Sequence, residues 1–334
     1  MTHLGAAFAR LARSRRIAVG VTLLGLLALV AVFSEVLAAP APIFAVGPSG
    51  VRAFPAVVDG ARYAELGERD VARAHAGDAA VWPLVRFGPG TAAEAGALAP
   101  SSRAHPLGTD ARGHDLFARL VYGARSALGL SLAAVLASLV LGVALGALAG
   151  EGRGFWNDRL ARLVETVDTF PAIIVVALVR AIEREPSVLS LVIAVSVVRW
   201  AEVARLVRAE SLRAQSEEYV TAARALGASR WRVFFRHVLP NAVGPVFVSS
   251  VFGVASIVLL ECAISFLEMG APTDVPTWGE TLAEGARSPE HVRLLLLPGL
   301  LVLVTVGASY LIADALRDAF DARTTRGGLA ARPR

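Results

Sequence analysis

The sequence predicts an all-α, polytopic membrane protein with six transmembrane helices. Three observations carry that prediction. The 334 residues are 55% hydrophobic and only 18% charged, with mean hydropathy +0.58, against about 45–50% apolar and about 25% charged in soluble domains. Six apolar runs, at about 17–37, 126–149, 160–179, 188–207, 242–266 and 292–315, approach the roughly 20 residues that cross a bilayer core. The net charge of +5 comes from arginine alone, since the chain contains no lysine. Those arginines gather at the ends of apolar runs, the pattern of a cytoplasmic face. A nucleic-acid-binding protein would instead carry a basic patch on a soluble fold. Cys262 is the single cysteine, which excludes an internal disulfide framework.

Residues 1–39 form a polar start with Arg10, Arg13, Arg15 and Arg16, followed by the first apolar run. A signal peptide shares this order. The run, however, exceeds the ~7–15 residues of a signal core, so an uncleaved span with a cytoplasmic N-terminus is expected. Ala38-Ala39-Pro40 leaves peptidase cleavage as the alternative. Residues 40–125 contain no run apolar enough to span and are rich in proline and glycine, so they form an external loop ending in an amphipathic helix. Within it, His105, Asp110, His114 and Asp115 are metal-capable types. They lack an i, i+4 histidine pair or cysteines, and a glycine turn with Asp and Thr bonding the backbone is the preferred reading.

The core, 126–318, opens with a small-residue span in which Gly142 and Gly146 permit close helix approach. Pro171 is expected to kink the third span. Arg199, Arg205 and Arg208 place the end of the fourth at the cytoplasm. Residues 211–240 are polar and hold Arg213, Arg224, Arg230, Arg232 and Arg236. They read as two short amphipathic helices meeting at Gly227, with Tyr219, Ala222, Ala223 and Leu226 on one face and Trp231, Phe234, Phe235 and Val238 on the next. Gly227 suits a helix C′ position, Ser229 an N-cap, and Pro240 a stop or kink. The tail, 319–334, is basic and expected inside, with Arg323, Arg326, Arg332 and Arg334.

The stretch from Tyr219 to Pro240 resembles the coupling loop of ABC importer permeases, whose motif is Glu-Ala-Ala, three residues, Gly, nine residues, Ile, one residue, Leu-Pro. Ala222, Ala223, Gly227, Leu239 and Pro240 match; Thr221 replaces the Glu and His237 the Ile. Three further segments resemble the C-type subunit of the dipeptide/oligopeptide/nickel branch. These are His105-Pro-Leu-Gly108-Thr109-Asp110 with Gly113 and Asp115, Thr277-Trp278-Gly279-Glu280 with Leu282-Ala-Glu-Gly285, and Asp314-Ala-Leu-Arg317-Asp318-Ala-Phe-Asp321.

The resemblance implies a type I importer permease in the bacterial inner membrane, importing di- or oligopeptides. Nickel chelates or another small solute are the alternative within the branch. It implies a homologous second permease, two cytoplasmic ATPases that bind ATP and magnesium, and an extracytoplasmic solute-binding protein. No cofactor, metal, nucleic acid or catalytic residue is implied for this chain, which also lacks a phosphate-binding loop. ATPase coupling would fall to Thr221, Ala222, Ala223, Arg224, Gly227, Ala228, Ser229, Leu239 and Pro240. Glu261, inside the fifth span, either lines the translocation path or hydrogen-bonds a neighbouring helix at an interface. Two rivals compete: a proton-driven carrier using Glu261 and Asp168, and an anchored metal enzyme using the external His and Asp residues. Neither explains residues 219–240.

Overall fold

The computed structural model describes residues 14–47, 50–58, 63, 70, 79–151, 155–185, 187–272 and 274–329. The expectations for Arg10, Arg13, Arg332 and Arg334 lie outside the described residues. The chain divides into two units, residues 1–23, 130–260 and 306–334 forming one and residues 24–129 and 261–305 the other.

Four described helices are long and apolar enough to cross a membrane: α1 (Arg15–Val32), the bulk of α4 (Leu116–Glu151), the helix running Arg230–Phe266, and most of α12 (Arg293–Leu329). They coincide with the expected first, second, fifth and sixth spans. The expected third span is not one helix. It divides at Phe170–Pro171 into α5 (Phe155–Thr169) and α6 (Ala172–Ile182). Pro171 does more than kink the run. Proline biases the preceding residue away from helical geometry and supplies no N–H, so Pro171 stands as the N-cap of α6. Eleven residues rise about 16 Å, half of a ~30 Å hydrocarbon core. The fourth run lies in α7 (Val188–Gln215), a 28-residue helix opened by a capping box between Ser187 and Ser190.

In the first unit, α4 and α7 pack through glycine. A Cβ at Gly142 would lie 2.5 Å from Val203 Cβ, and one at Gly146 2.6 Å from the Ala204 carbonyl. The expectation of close approach at these glycines is met inside this chain. Arg16 bonds Asp314 (2.7 Å), and a Cβ at Gly20 would meet the Ala308 carbonyl at 2.8 Å, so the first and last helices touch along this stretch.

The second unit holds residues 40–125, the stretch expected as an external loop. It contains three short strands that the all-α reading did not anticipate: β1 (Phe44–Gly47), β2 (Gly50–Ala53) and β3 (Ala79–Val81), in antiparallel order β2-β1-β3. Short helices α2 (Ser34–Leu37) and α3 (Pro55–Val58) flank the β1–β2 pair. Further on, α11 (Trp278–Arg287), capped by Thr277, buries Trp278 completely. The Trp278 indole donates to the Leu120 carbonyl at 3.0 Å and lies over Gly123, where a Cβ would be 2.6 Å from Cδ1.

Substituting Gly146→Val forces backbone as well as side chain to move and is expected to cost about 1–3 kcal/mol. Gly129→Ala meets nothing within 4 Å and should be neutral or stabilising. Thermal unfolding of the purified chain separates the two; equal midpoints would refute the close α4–α7 contact.

Candidate functional site

The stretch expected over 211–240 forms its hairpin over 216–240, with a correction at each end: residues 211–215 are the last part of α7. Helix α8 (Glu218–Ala225) ends at Leu226, and Gly227 takes φ +87°, a left-handed conformation that glycine adopts without a Cβ penalty. Helix α9 (Arg230–Val233) begins at Ser229, whose side chain accepts from the Arg232 N–H. The chain does not stop at Pro240. It passes through a π-turn, Phe234–Val238, directly into α10 (Leu239–Phe266). Leu239 N–H reaches back five residues to the Phe234 carbonyl, and Asn241 donates its side-chain amide to the His237 carbonyl (2.9 Å). The widened turn accommodates a proline that has no donor of its own.

The hairpin has a fixed base and an open tip. Val220, Val233, Phe234 and Val238 are buried in one cluster with Ala147, Val203, Val207, Ala214, Ala242 and Val246. The face predicted from Tyr219, Ala222, Ala223 and Leu226 is mostly turned out: Leu226 is 89% exposed, Tyr219 and Ala222 are exposed, and Ala223 is half-buried. Thr221, Gly227, Ser229 and Pro240 are also exposed, while Arg224, Ala228 and Leu239 are half-buried. The hydrophobic periodicity of α8 thus marks a surface rather than a core.

The signature segment of residues 105–115, expected to be external, lies in the second unit. Asp115 accepts from the Ala118 N–H (2.8 Å), capping α4, and binds the His105 ring (2.8 Å), on which Phe87 stacks. Thr109 bridges the Ala99 N–H and the Gly96 carbonyl. Gly108, at φ +76°, has no room for a side chain, since a Cβ would meet the Ala99 carbonyl at 2.4 Å. Gly113 takes φ +83°, and Asp110 Oδ1 accepts from the N–H groups of Arg112 and His114.

Arg119, 2% exposed, joins this segment to α11 by pairing with Asp110 (3.1 Å) and with Glu280, which also bonds Arg112. Burial raises the Asp110 pKa, but the His114 ring and the Arg119 charge outweigh it and hold the carboxyl below its ordinary range. Glu284 is shifted the other way, by burial and then by the Asp110 charge. The two act oppositely on stability. The contribution of Asp110 is present above the ordinary carboxylate range and lost as pH falls through its lowered pKa. The ionisation cost of Glu284 is relieved as pH falls through its raised one.

Glu261, 3% exposed, accepts from Ser265 (2.6 Å) and from the Cys262 thiol (3.7 Å); Ser265 in turn lies 3.5 Å from the Thr277 hydroxyl. Asp168 pairs with Arg205 (3.1 Å). Among the described residues no group of three or more His, Cys, Asp or Glu is placed to hold a metal.

Residues 142–326 match the family described as the binding-protein-dependent transport system inner membrane component. The chain belongs to this family. As a permease component of ABC transporters it is non-catalytic. It is 35% identical over 222 residues to the dipeptide transport system permease protein DppC of Alkalihalophilus pseudofirmus, covering 66% of this chain and 72% of that one. The glutathione transport system permease protein GsiD of Pectobacterium atrosepticum is 36% identical over 225 residues, covering 66% and 73%. The oligopeptide transport system permease protein OppC of Bacillus subtilis is 30% identical over 223 residues, again 66% and 73%. Among solved structures, an inward-facing MetNI methionine ABC transporter chain superposes with TM-score 0.51 at 17% identity, covering 62% of this chain and 97% of that one. That likeness supports the fold.

One polar group of the permease escaped the sequence reading. Arg199 pairs with Glu202 (3.2 Å), and Ser249 of α10 donates to Glu202 at 2.7 Å. Arg199 stands eleven residues beyond Val188, about 16 Å along the helix, and sixteen before its last residue, Gln215, rather than at the end of α7. The rule that intramembrane charges are costly and functional was the signal available.

Removing Arg119 takes the buried cation from Asp110 and Glu280, leaving the His114 ring beside the first and Arg112 beside the second. Arg119→Ala is expected to destabilise the permease by about 3–5 kcal/mol, whereas Arg287→Ala, which breaks an exposed pair with Glu268, should leave the unfolding midpoint unchanged. Similar midpoints for the two variants would remove Arg119 as the keystone of the external segment.

Proposed function

We propose that this permease is the C-type half of the translocation pathway of an ATP-driven peptide importer. It pairs with a second, homologous permease, with two cytoplasmic ABC ATPases that bind ATP and magnesium, and with an extracytoplasmic solute-binding protein. The observation that carries the coupling role is the contrast within one hairpin, between a base sealed by Val220, Phe234 and Val238 and a tip, Thr221 to Ser229, whose apolar Leu226 touches no core. A helix face left apolar and open suits a groove on a partner. Ala222, Ala223, Gly227 and Ala228 permit close approach there, and Arg224 meets acidic groups at the rim. Leu239 and Pro240 carry the motion into α10 through the π-turn. ATP-driven closure of the ATPases then moves the spans as a lever moves on a fixed pivot, exchanging outward for inward access.

A peptide substrate is supported by the dipeptide, glutathione and oligopeptide systems to which the similar permeases belong; nickel chelates or another small solute are the alternative within the branch. In this reading both termini are cytoplasmic, and α5 with α6 makes up the third of six crossings, the fourth being α7. Glu261 acts by holding the outer end of α10 to the turn before α11, and residues 105–115 act by bracing that outer layer.

The test uses the whole complex in proteoliposomes. Leu226 is 89% exposed, so assembly of Leu226→Asp should be normal while solute-stimulated ATPase activity and uptake fall together by at least an order of magnitude. Gly227→Asp, strained at φ +87°, should lose both as well when compared at a matched level of assembled complex. Undiminished stimulation in Leu226→Asp would sink the coupling role, and uptake without the ATPases would sink the importer reading. For topology, Ala225→Cys in a Cys262→Ala background should react with an impermeant maleimide only from the cytoplasmic face; labelling from outside refutes the orientation.

A further inference from the structure

Beside the coupling hairpin lies a groove that the coupling role does not use. Its floor is the last part of α4, Leu139, Val140, Val143, Ala144, Ala147 and Leu148, and its wall is Trp231, Phe234 and Phe235; its volume is about 620 Å³. Nearly all of the lining is apolar, and Val140 is 71% exposed. A second hollow shares Trp231 and Phe235 with the first and adds Arg232 and Arg236. These arginines are one helical turn apart and exposed. Among the described residues neither forms an ion pair.

The two hollows together have the shape and charge of one ligand. From Leu139 to Leu148 the helix rises about 14 Å, the depth of one leaflet, half of a ~30 Å hydrocarbon core. At one side of this apolar slot stand two cations, without an ion pair among the described residues, beside an exposed Trp, the residue type that settles at the lipid–water boundary. We propose that an anionic phospholipid of the cytoplasmic leaflet occupies this site, with an acyl chain along α4 and its phosphate on Arg232 and Arg236. Charge complementarity selects this occupant over a helix of the second permease, which would cover two cations that the described residues leave without carboxylates. The leaflet assignment rests on the cytoplasmic orientation proposed above. The lipid would bridge α4 and the π-turn, bracing the pivot of the hairpin from outside while the buried cluster braces it from within.

The experiment uses the complete complex in nanodiscs of phosphatidylcholine with phosphatidylglycerol, and native mass spectrometry of the lipids retained after release. Wild type should keep phosphatidylglycerol over phosphatidylcholine on the order of ten-fold, as two membrane-surface arginines imply. The double variant Arg232→Gln/Arg236→Gln should lose that preference, and Ala144→Phe, which fills the slot at an exposed position, should lose retained lipid of both kinds. A photo-crosslinker at Val140 should capture lipid. Equal retention of the two lipids by wild type, an unchanged preference in the double variant, or capture of the second permease by Val140 would each overturn the proposal. Leu226→Asp distinguishes this site from the coupling reading, because it abolishes stimulated uptake while leaving lipid retention intact.

Discussion

The hydrocarbon core of a bilayer offers no hydrogen-bond partner, so every backbone N–H and C=O within it must be satisfied by the chain itself. That constraint turns the apolar runs of this permease into helices and makes each interruption meaningful. At Phe170–Pro171 the interruption is complete, and α5 and α6 are separate helices. At Pro240 the chain takes the opposite course. A single π-turn widens the helix, Leu239 bonds five residues back, and the Asn241 side chain serves a carbonyl. Helix Arg230–Phe266 therefore continues without a break from the polar hairpin into the apolar span.

This continuity gives the hairpin mechanical meaning. A force on its tip cannot dissipate in a flexible joint between hairpin and span, because the chain between them is helical throughout. The tip cannot swing freely either, because Val220, Phe234 and Val238 are packed with residues of α4, α7 and α10. Each buried side chain of this size contributes roughly 1.5–3 kcal/mol, so the cluster is a stiff seat. Gly227 gives the reversal between α8 and α9 the left-handed turn it requires.

The second unit is built on a different balance. Its framework is a buried charge network, Arg119 with Asp110 and Glu280, surrounded by backbone bonds to Thr109, Asp110 and Asp115. Buried charges are tolerated only when paired. The pairing here joins stretches some 160 residues apart in sequence: Arg119, Leu120 and Gly123 meet α11 (Trp278–Arg287), with Trp278 seated on Gly123. Residues 105–115, which a list of metal-capable side chains would single out, serve as caps and turn bonds.

Period and length made most of the helices legible. Long apolar runs admit few structures in a membrane, and their arginine-flanked ends are read by simple counting. The hinge at Gly227, the cap at Ser229 and the close approach at Gly146 were legible for the same reason, since each depends on local stereochemistry. Four things required the tertiary structure. The three strands near residues 44–81 are short and pair across an intervening stretch, so their pattern carries little local signal. The π-turn depends on how Phe234 and Val238 are received by α4 and α7 rather than on Pro240 alone. The outward direction of Leu226 is invisible to periodicity, which reports that a face is apolar but not what covers it. The Arg199–Glu202–Ser249 contact joins two helices whose relative rotation no single run encodes. Local chemistry determined which segments are helical and where they turn; packing decided which faces are buried, which charges meet, and which apolar surface is left for a partner.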